Sequence, residues 1–350
     1  MEKDIARWGS AAVAEAWPNA ILSEITPLRG DVSTRRFWRI VIAGPADAPA
    51  SAIAIDLGPE DLPLYARALN MYPRPLAEPP WINLHRFLSR LGAPVPALYR
   101  WSASDRMLLV EDVGSLSLFD AARANPAKAA DLYREAVRAL VKFHVDGTAS
   151  ADNDCLAFQV AYDEQLFAWE LRRFVEFGLD AVAPGFESRI IENDLADLAR
   201  KLGALPRVFS HRDYHGNNIF LEGAIESPSI RIIDFQDALM APAVQDLAVL
   251  LTTRDTDSII SPAIENRLLD FYFATLLRRG IETSSRDDFL KSYSMCMLQH
   301  ALKCIGLFVF LEREGKGEYA AYTPHAIGQA RRMLARLAPE FPRLRDAFAS

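Results

Sequence analysis

The paired stretches "SHRDYHGNN" (210–218) and "RIIDFQDA" (231–238) constrain this chain more than any other feature. Each follows a short apolar run, "RVF" or "IRII", in a sequence that is 50% hydrophobic. Polar groups gathered at the ends of apolar strands form a loop on a rigid support, which is where chains usually carry binding and chemistry. Asp213 and Asn218 are five positions apart, and Asp234 follows sixteen positions after Asn218.

His-x-Asp, then Asn five residues after the Asp, then a strand ending in Asp-Phe is the pattern of phosphoryl-transfer enzymes. That chemistry needs one carboxylate to take the proton of an acceptor hydroxyl. It also needs an amide oxygen and a second carboxylate to hold Mg²⁺ against ATP phosphates. Asp213 is the expected base, Asn218 and Asp234 the expected metal ligands, and ATP and Mg²⁺ the expected cofactors. The bland alternative is that these Asp and Asn residues only cap turns.

Length and charge narrow the surroundings. At 350 residues the chain is expected to hold two lobes. Its net charge of -7 comes without a block of Lys or Arg, so a nucleic-acid partner is not expected and a small polar substrate is. Cys155, Cys296 and Cys304 are odd in number and lack C-x-x-C spacing, as in buried thiols of a reducing cytoplasm. The N-terminus "MEKDIARWGSAAVAEAW" has no signal-peptide core and reads as an amphipathic helix. The longest apolar stretch, 294–311, is interrupted by Gln299, His300 and Lys303, which suits a buried helix rather than a membrane span. His144, His300 and His325 lack metal spacing and read as packing or capping residues. A cytoplasmic monomer without a membrane anchor is expected.

Along the chain, "RFWRIVI" and "SAIAIDLG" alternate as strands around the turn-like "GPADAPAS". "WINLHRFLSRLG" (81–92) is helical and stops at Gly92, after which "APVPALYRW" and "RMLLVEDVG" return to strand. From Ser115 onward, helical periodicity dominates, except around residues 207–234. The expected fold class is α+β, with a β-rich nucleotide-binding lobe (1–113) and a larger helical catalytic and substrate-binding lobe (114–350).

"HRDYHGNN" with "IIDFQDA" resembles the aminoglycoside phosphotransferase and choline kinase family, a bilobal branch of the protein-kinase-like fold, over most of the chain. The resemblance implies that "IAID" (53–56) stands where kinases carry V-A-I-K, with Ala54 close to adenine and Asp56 in the lysine's place. An acid about 4 Å from a phosphate costs on the order of 4 kcal/mol at an effective dielectric of 20, so Asp56 is expected to pair with an arginine instead. In "GDVSTRRFWRI" (30–40), Ser33, Thr34 and Arg35 are the expected phosphate contacts, with Arg36 and Arg39 as further cations. The Glu111 carbonyl and Val113 amide are expected to read adenine from the linker. Asp246 resembles the family aspartate that braces the catalytic loop, and His211 is expected to support it.

"RGDVSTRRFWR", the aspartate in place of lysine, "YDEQLFAWELRRF" and "LQHALKCIGLFVFL" together resemble the anomeric N-acetylmuramate/N-acetylglucosamine kinase branch. The resemblance implies transfer of the ATP γ-phosphate to a sugar C1 hydroxyl in cell-wall recycling. Glu170, Arg172, His215 and Asp237 lie near the motifs and are the expected sugar contacts. Two rivals stay open: a kinase of the same fold acting on an aminoglycoside, choline or another alcohol, and a pseudokinase-like binding module prompted by the missing lysine.

Overall fold

The computed structural model describes residues 4–28, 35–59, 62, 64–72, 76–281 and 284–349. Helix α1 (Ile5–Ala16) is capped by Asp4, whose carboxylate accepts from Arg7 N at 3.0 Å, and leads into an antiparallel sheet. The sheet order is β1-β2-β3-β5-β4, built from β1 (Ile21–Leu28), β2 (Arg36–Ala43), β3 (Ser51–Asp56), β4 (Leu98–Ser102) and β5 (Met107–Glu111). Between β3 and β4 lie the short α2 (Leu64–Ala68) and α3 (Pro80–Arg90), which begins on a proline and stops before Gly92 at φ +62°.

The strands' period of two divides the sheet's faces. Ala52, Ala54, Ile40, Ile42, Met107 and Leu109 pack with Ala12 and Val13 of α1 and with Trp17 at its C-terminal cap. Ile53, Ile55, Leu108 and Val110 face the other way, into the cluster that holds Trp81, Leu84 and Phe87 of α3 and continues through the helical lobe. Thus α3 joins the lobes, and its Trp81 ring lies 5.2 Å from Phe235, next to Asp234.

The helical lobe follows with α4 (Leu118–Ala124), α5 (Ala129–Ala149), α6 (Glu164–Arg173), α7 (Leu179–Val182) and α8 (Glu192–Gly203). Two strand pairs then interrupt the helices. One joins β6 (Arg207–Ser210) to β9 (Leu239–Pro242), and the other joins β7 (Ile219–Glu222) to β8 (Ser229–Ile232). The strand β9 lies beyond the expected β region, and β8 stops two residues before Asp234. The chain ends in α9 (Ala243–Thr252), α10 (Pro262–Arg278), α11 (Arg286–Arg313), α12 (Thr323–Arg336) and α13 (Pro342–Ala349). Among the described residues only α11 is long and apolar enough to cross a membrane, and 83% of its apolar window is buried inside the fold. All three cysteines are buried and free.

Candidate active site

The loop after β6 is held from beneath by one carboxylate. Asp246, fully buried near the start of α9, accepts from His211 N and Arg212 N, both at 2.7 Å. Its Oδ2 also contacts His144 Nε2 at 3.0 Å, and His144 Nδ1 meets the Tyr272 hydroxyl, which donates to Ala243 O. Burial alone would raise the Asp246 pKa, but the His144 hydrogen bond and nearby charge hold it below the usual carboxylate range. Two peptide N–H groups satisfied by one buried anion fix the loop backbone, including Arg212 at φ +77°.

The second motif is stitched to the first. His211 Nε2 contacts Ile233 O at 3.0 Å, and Ile233 N donates to Asn218 O at 3.0 Å. Asn218 Nδ2 donates to Asp213 O at 3.0 Å and to His215 Nε2 at 3.2 Å. A carbonyl and an imine nitrogen can only accept from it, so this assignment leaves Asn218 Oδ1 as a free oxygen donor to a cation. Among the described residues no protein donor meets Asn218 Oδ1 or the half-buried Asp213 carboxylate.

Asp234 adopts φ +66°, a left-handed conformation that turns its side chain out of the strand direction. Its Oδ1 accepts from Arg35 Nη2 at 2.7 Å and Gln236 Nε2 at 3.0 Å. Burial works to raise the Asp234 pKa, and the Arg35 charge overrides it and lowers it. Asp237 is pushed up by burial and by the Asp213 and Asp234 charges, against the pull of Arg212. The free Asn218 amide oxygen and the Asp234 carboxylate are hard oxygen donors of the kind Mg²⁺ takes. Asn218 and Asp234 would hold the ion, and nucleotide phosphates would complete its coordination.

Beside the Asp213 loop, Arg212 lies with its guanidinium carbon 3.7 Å from the centre of the Tyr65 ring and donates to Glu170 Oε1 at 2.9 Å. Glu170 is 2% exposed and also meets Lys303 Nζ at 3.1 Å, Gln299 Nε2 at 3.0 Å and the Tyr162 hydroxyl. Burial opposes its charge, but Lys303 and Arg212 outweigh that and bring its pKa down to about 2. The expectation that Glu170 contacts sugar is therefore corrected: its oxygens are spent inside the fold as the counter-ion of Arg212 and Lys303. Arg172 is exposed, about 200° around α6 from Glu170, and so faces away from the site. His215 and Asp237 do lie beside Asp213, and each feels its charge. Burial and then Arg254 push the His215 pKa down to about 4.

His300, read from sequence as packing, belongs to this neighbourhood. Its Nε2 meets Thr253 Oγ1 at 3.0 Å, and burial followed by Lys303 lowers its pKa to about 3 while Asp213 pulls the other way. His144, Tyr272 and Tyr65 were likewise missed. Only a long-range partner gives each its place, and the linear pattern carries no signal for such partners.

The nucleotide side departs most from expectation. Ser33 and Thr34 lie outside the described residues. Ala54 is fully buried on the α1 face, because alternation from Ile53 turns it away from the helical lobe, so its expected approach to adenine is corrected. Asp56 shares that parity and is 2% exposed, with Arg36 Nη2 on its Oδ2 and Gly58 N on its Oδ1, both at 3.0 Å. In the linker, the Glu111 side chain accepts from Ala97 N at 2.9 Å and Arg231 Nε at 3.2 Å, and Val113 is buried. Asp112 forms a latch: it accepts from Arg39 Nε at 2.6 Å, Arg39 Nη2 at 3.0 Å, Ser51 Oγ at 2.8 Å and Gly114 N at 3.0 Å. That latch fixes the chain where it leaves the sheet.

Known proteins resemble this chain along most of its length. The chain is 28% identical to an N-acetylmuramate/N-acetylglucosamine kinase of Pseudomonas aeruginosa, over 97% of this chain and 91% of that protein. It is 28% identical to the kinase of the same name from Caulobacter vibrioides, over 85% of this chain and 84% of that one. The fold superposes on the Plasmodium vivax ethanolamine kinase with a TM-score of 0.59 at 11% identity, covering 94% of this chain and 89% of that structure. The phosphotransferase enzyme family profile matches residues 59–282, a span that takes in both motifs, the bracing Asp246 and helix α3, and the chain belongs to that family.

Proposed function

We propose that this protein is an ATP- and Mg²⁺-dependent sugar kinase that phosphorylates the anomeric C1 hydroxyl of N-acetylmuramate, N-acetylglucosamine or both, in peptidoglycan recycling. The similarity along 97% of the chain to an N-acetylmuramate/N-acetylglucosamine kinase carries the reading. The free Asp213 carboxylate beside Asn218 and Asp234 supplies a chemical means. The lobes divide at residues 113 and 114, and the Glu111 carbonyl and Val113 amide read adenine at the linker. In this reading Ser33, Thr34 and Arg35 supply the phosphate contacts, and His215 and Asp237 supply the sugar contacts. Buried free thiols and a need for ATP fit a monomer working in the cytoplasm.

In this mechanism Asp213 accepts the C1 hydroxyl proton as the sugar oxygen bonds to the γ-phosphorus and the β,γ-bridging bond breaks, releasing ADP. The C1 hydroxyl is more acidic than other sugar alcohols, so a carboxylate of ordinary basicity suffices. Mg²⁺ held by Asn218 and Asp234 would neutralise charge on the phosphates. Asp246 and His211 keep the loop in place through the backbone, and Glu170 keeps Arg212 beside it.

The test is the product formed from either sugar with ATP and Mg²⁺. A 1-phosphate is non-reducing, and its anomeric proton is split by phosphorus in NMR. Asp213→Asn should lower kcat by about 100-fold or more with ATP binding retained, since general-base catalysis contributes roughly 10² to 10⁴. A reducing 6-phosphate, or turnover only with aminoglycosides or choline, would remove the reading.

A further inference from the structure

A kinase needs a cation on the nucleotide's phosphates, and the N-terminal sheet places none at the usual strand position. Asp56 is there, turned to the α1 face and neutralised by Arg36. Arg39 is committed to Asp112 at the linker through two of its nitrogens. Arg35, immediately before β2, instead crosses between the lobes and sets its Nη2 2.7 Å from Asp234 Oδ1. This pair is half-open to solvent, with side-chain exposures of 19% and 34%, so it can be exchanged without unfolding either lobe.

Resting on the kinase reading above, we propose that Arg35 stands in for the missing phosphate-gripping lysine by exchanging partners. It neutralises Asp234 in the empty chain and passes to the nucleotide's phosphates when metal and nucleotide arrive together. A guanidinium on Asp234 Oδ1 holds positive charge where a divalent cation must bind, so the two compete for that oxygen. The phosphates remove the conflict, because their added negative charge serves both cations. Arginine suits the second partner, since its planar fork matches phosphate oxygens as it matches carboxylates. Gln236, which donates to the same Asp234 oxygen at 3.0 Å, keeps the carboxylate oriented during the exchange.

The exchange predicts effects of opposite sign on two ligands. In Arg35→Ala, Mn²⁺ alone, followed as free Mn²⁺ by electron paramagnetic resonance, should bind about threefold or more tighter, because a competing cation has gone. By calorimetry the same variant should bind Mg²⁺·ADP about tenfold more weakly, having lost a charge-assisted pair. Adenosine affinity should not move, which also shows that the variant is folded. Arg35→Lys should fall between wild type and Arg35→Ala on both ligands. Unchanged or weaker Mn²⁺ binding in Arg35→Ala, or unchanged Mg²⁺·ADP binding, overturns the exchange while leaving the kinase reading in place. A wild-type protein that binds no Mg²⁺·ADP overturns both.

Discussion

Asp56 shows what a single residue decides here. The pairing of β2 with β3 puts Arg36 directly opposite it, and the period of two puts both on the α1 side, where a lysine ammonium would lie beside a guanidinium and away from phosphate. Asp56→Lys should therefore leave ATP affinity unimproved. It should also cost about 1–3 kcal/mol of stability, from the orphaned Gly58 N–H and the like charges. Calorimetry with ATP and denaturant unfolding measure the two parts, and a clearly tighter ATP complex would put Asp56 on the phosphate side. The same residues show how legible the site was. The closeness of Asp213, Asn218 and His211 to the second motif was legible because they meet one another or Ile233, whereas the Arg35 partner of Asp234 lies far upstream and was not. Ala54 was misread because its face depends on where α1 packs, and Glu170 because Lys303 and Arg212 are remote in sequence.

Among the elements, the sheet, α3 and the long helices follow from alternation, helical period and caps, so their existence was legible. The weak short strand β9 was not, and neither was the π-helical turn Phe174–Gly178 that extends α6. Its cause lies in packing. At that turn two glycines let backbones meet: a Cβ on Gly306 of α11 would lie 2.4 Å from Arg173 O, and one on Gly178 would lie 2.9 Å from Ile305 Cγ2 and 3.0 Å from Gly306 N. The obstacle at Gly306 is main chain, which cannot step aside as a side-chain tip can. Gly306→Ala must push α11 from α6 and should destabilise the protein by about 1–3 kcal/mol or more, despite alanine's better helix propensity. Because α11 carries Gln299, His300 and Lys303 toward the Glu170 and Asp213 region, the acceptor KM should rise with the loss of Tm. Thermal unfolding and steady-state kinetics check this, and an unchanged Tm would show that the crossing has room to spare.

At the scale of the whole molecule, the active site is a buried polar network inside an apolar core that runs through both lobes, so its protonation is tied to global stability. His300 ordinarily titrates near 6.5, and in the folded chain burial and Lys303 bring it to about 3. Burial and Arg254 bring His215 to about 4. Between those values and 6.5 the unfolded chain holds protons that the native state refuses, so stability rises with pH and falls on acidification. Glu170 adds the same sign lower down: its native pKa of about 2 against an ordinary 4.5 stabilises the fold above 4.5, and that contribution is lost as pH falls toward 2. Tm should therefore be flat above about pH 7 and decline from about pH 6.5, before the carboxylates begin to protonate. Each histidine contributes up to about 1.4 kcal/mol per pH unit across its window. His300→Asn removes one titrating group and keeps a polar side chain near Thr253, so it should lose visibly less Tm than wild type between pH 7 and 4.5. The check is thermal unfolding of both proteins across that range at constant ionic strength. Parallel Tm curves would mean that His300 takes up its proton in the native state as readily as in the unfolded chain, so that its burial beside Lys303 does not disfavour the charged ring.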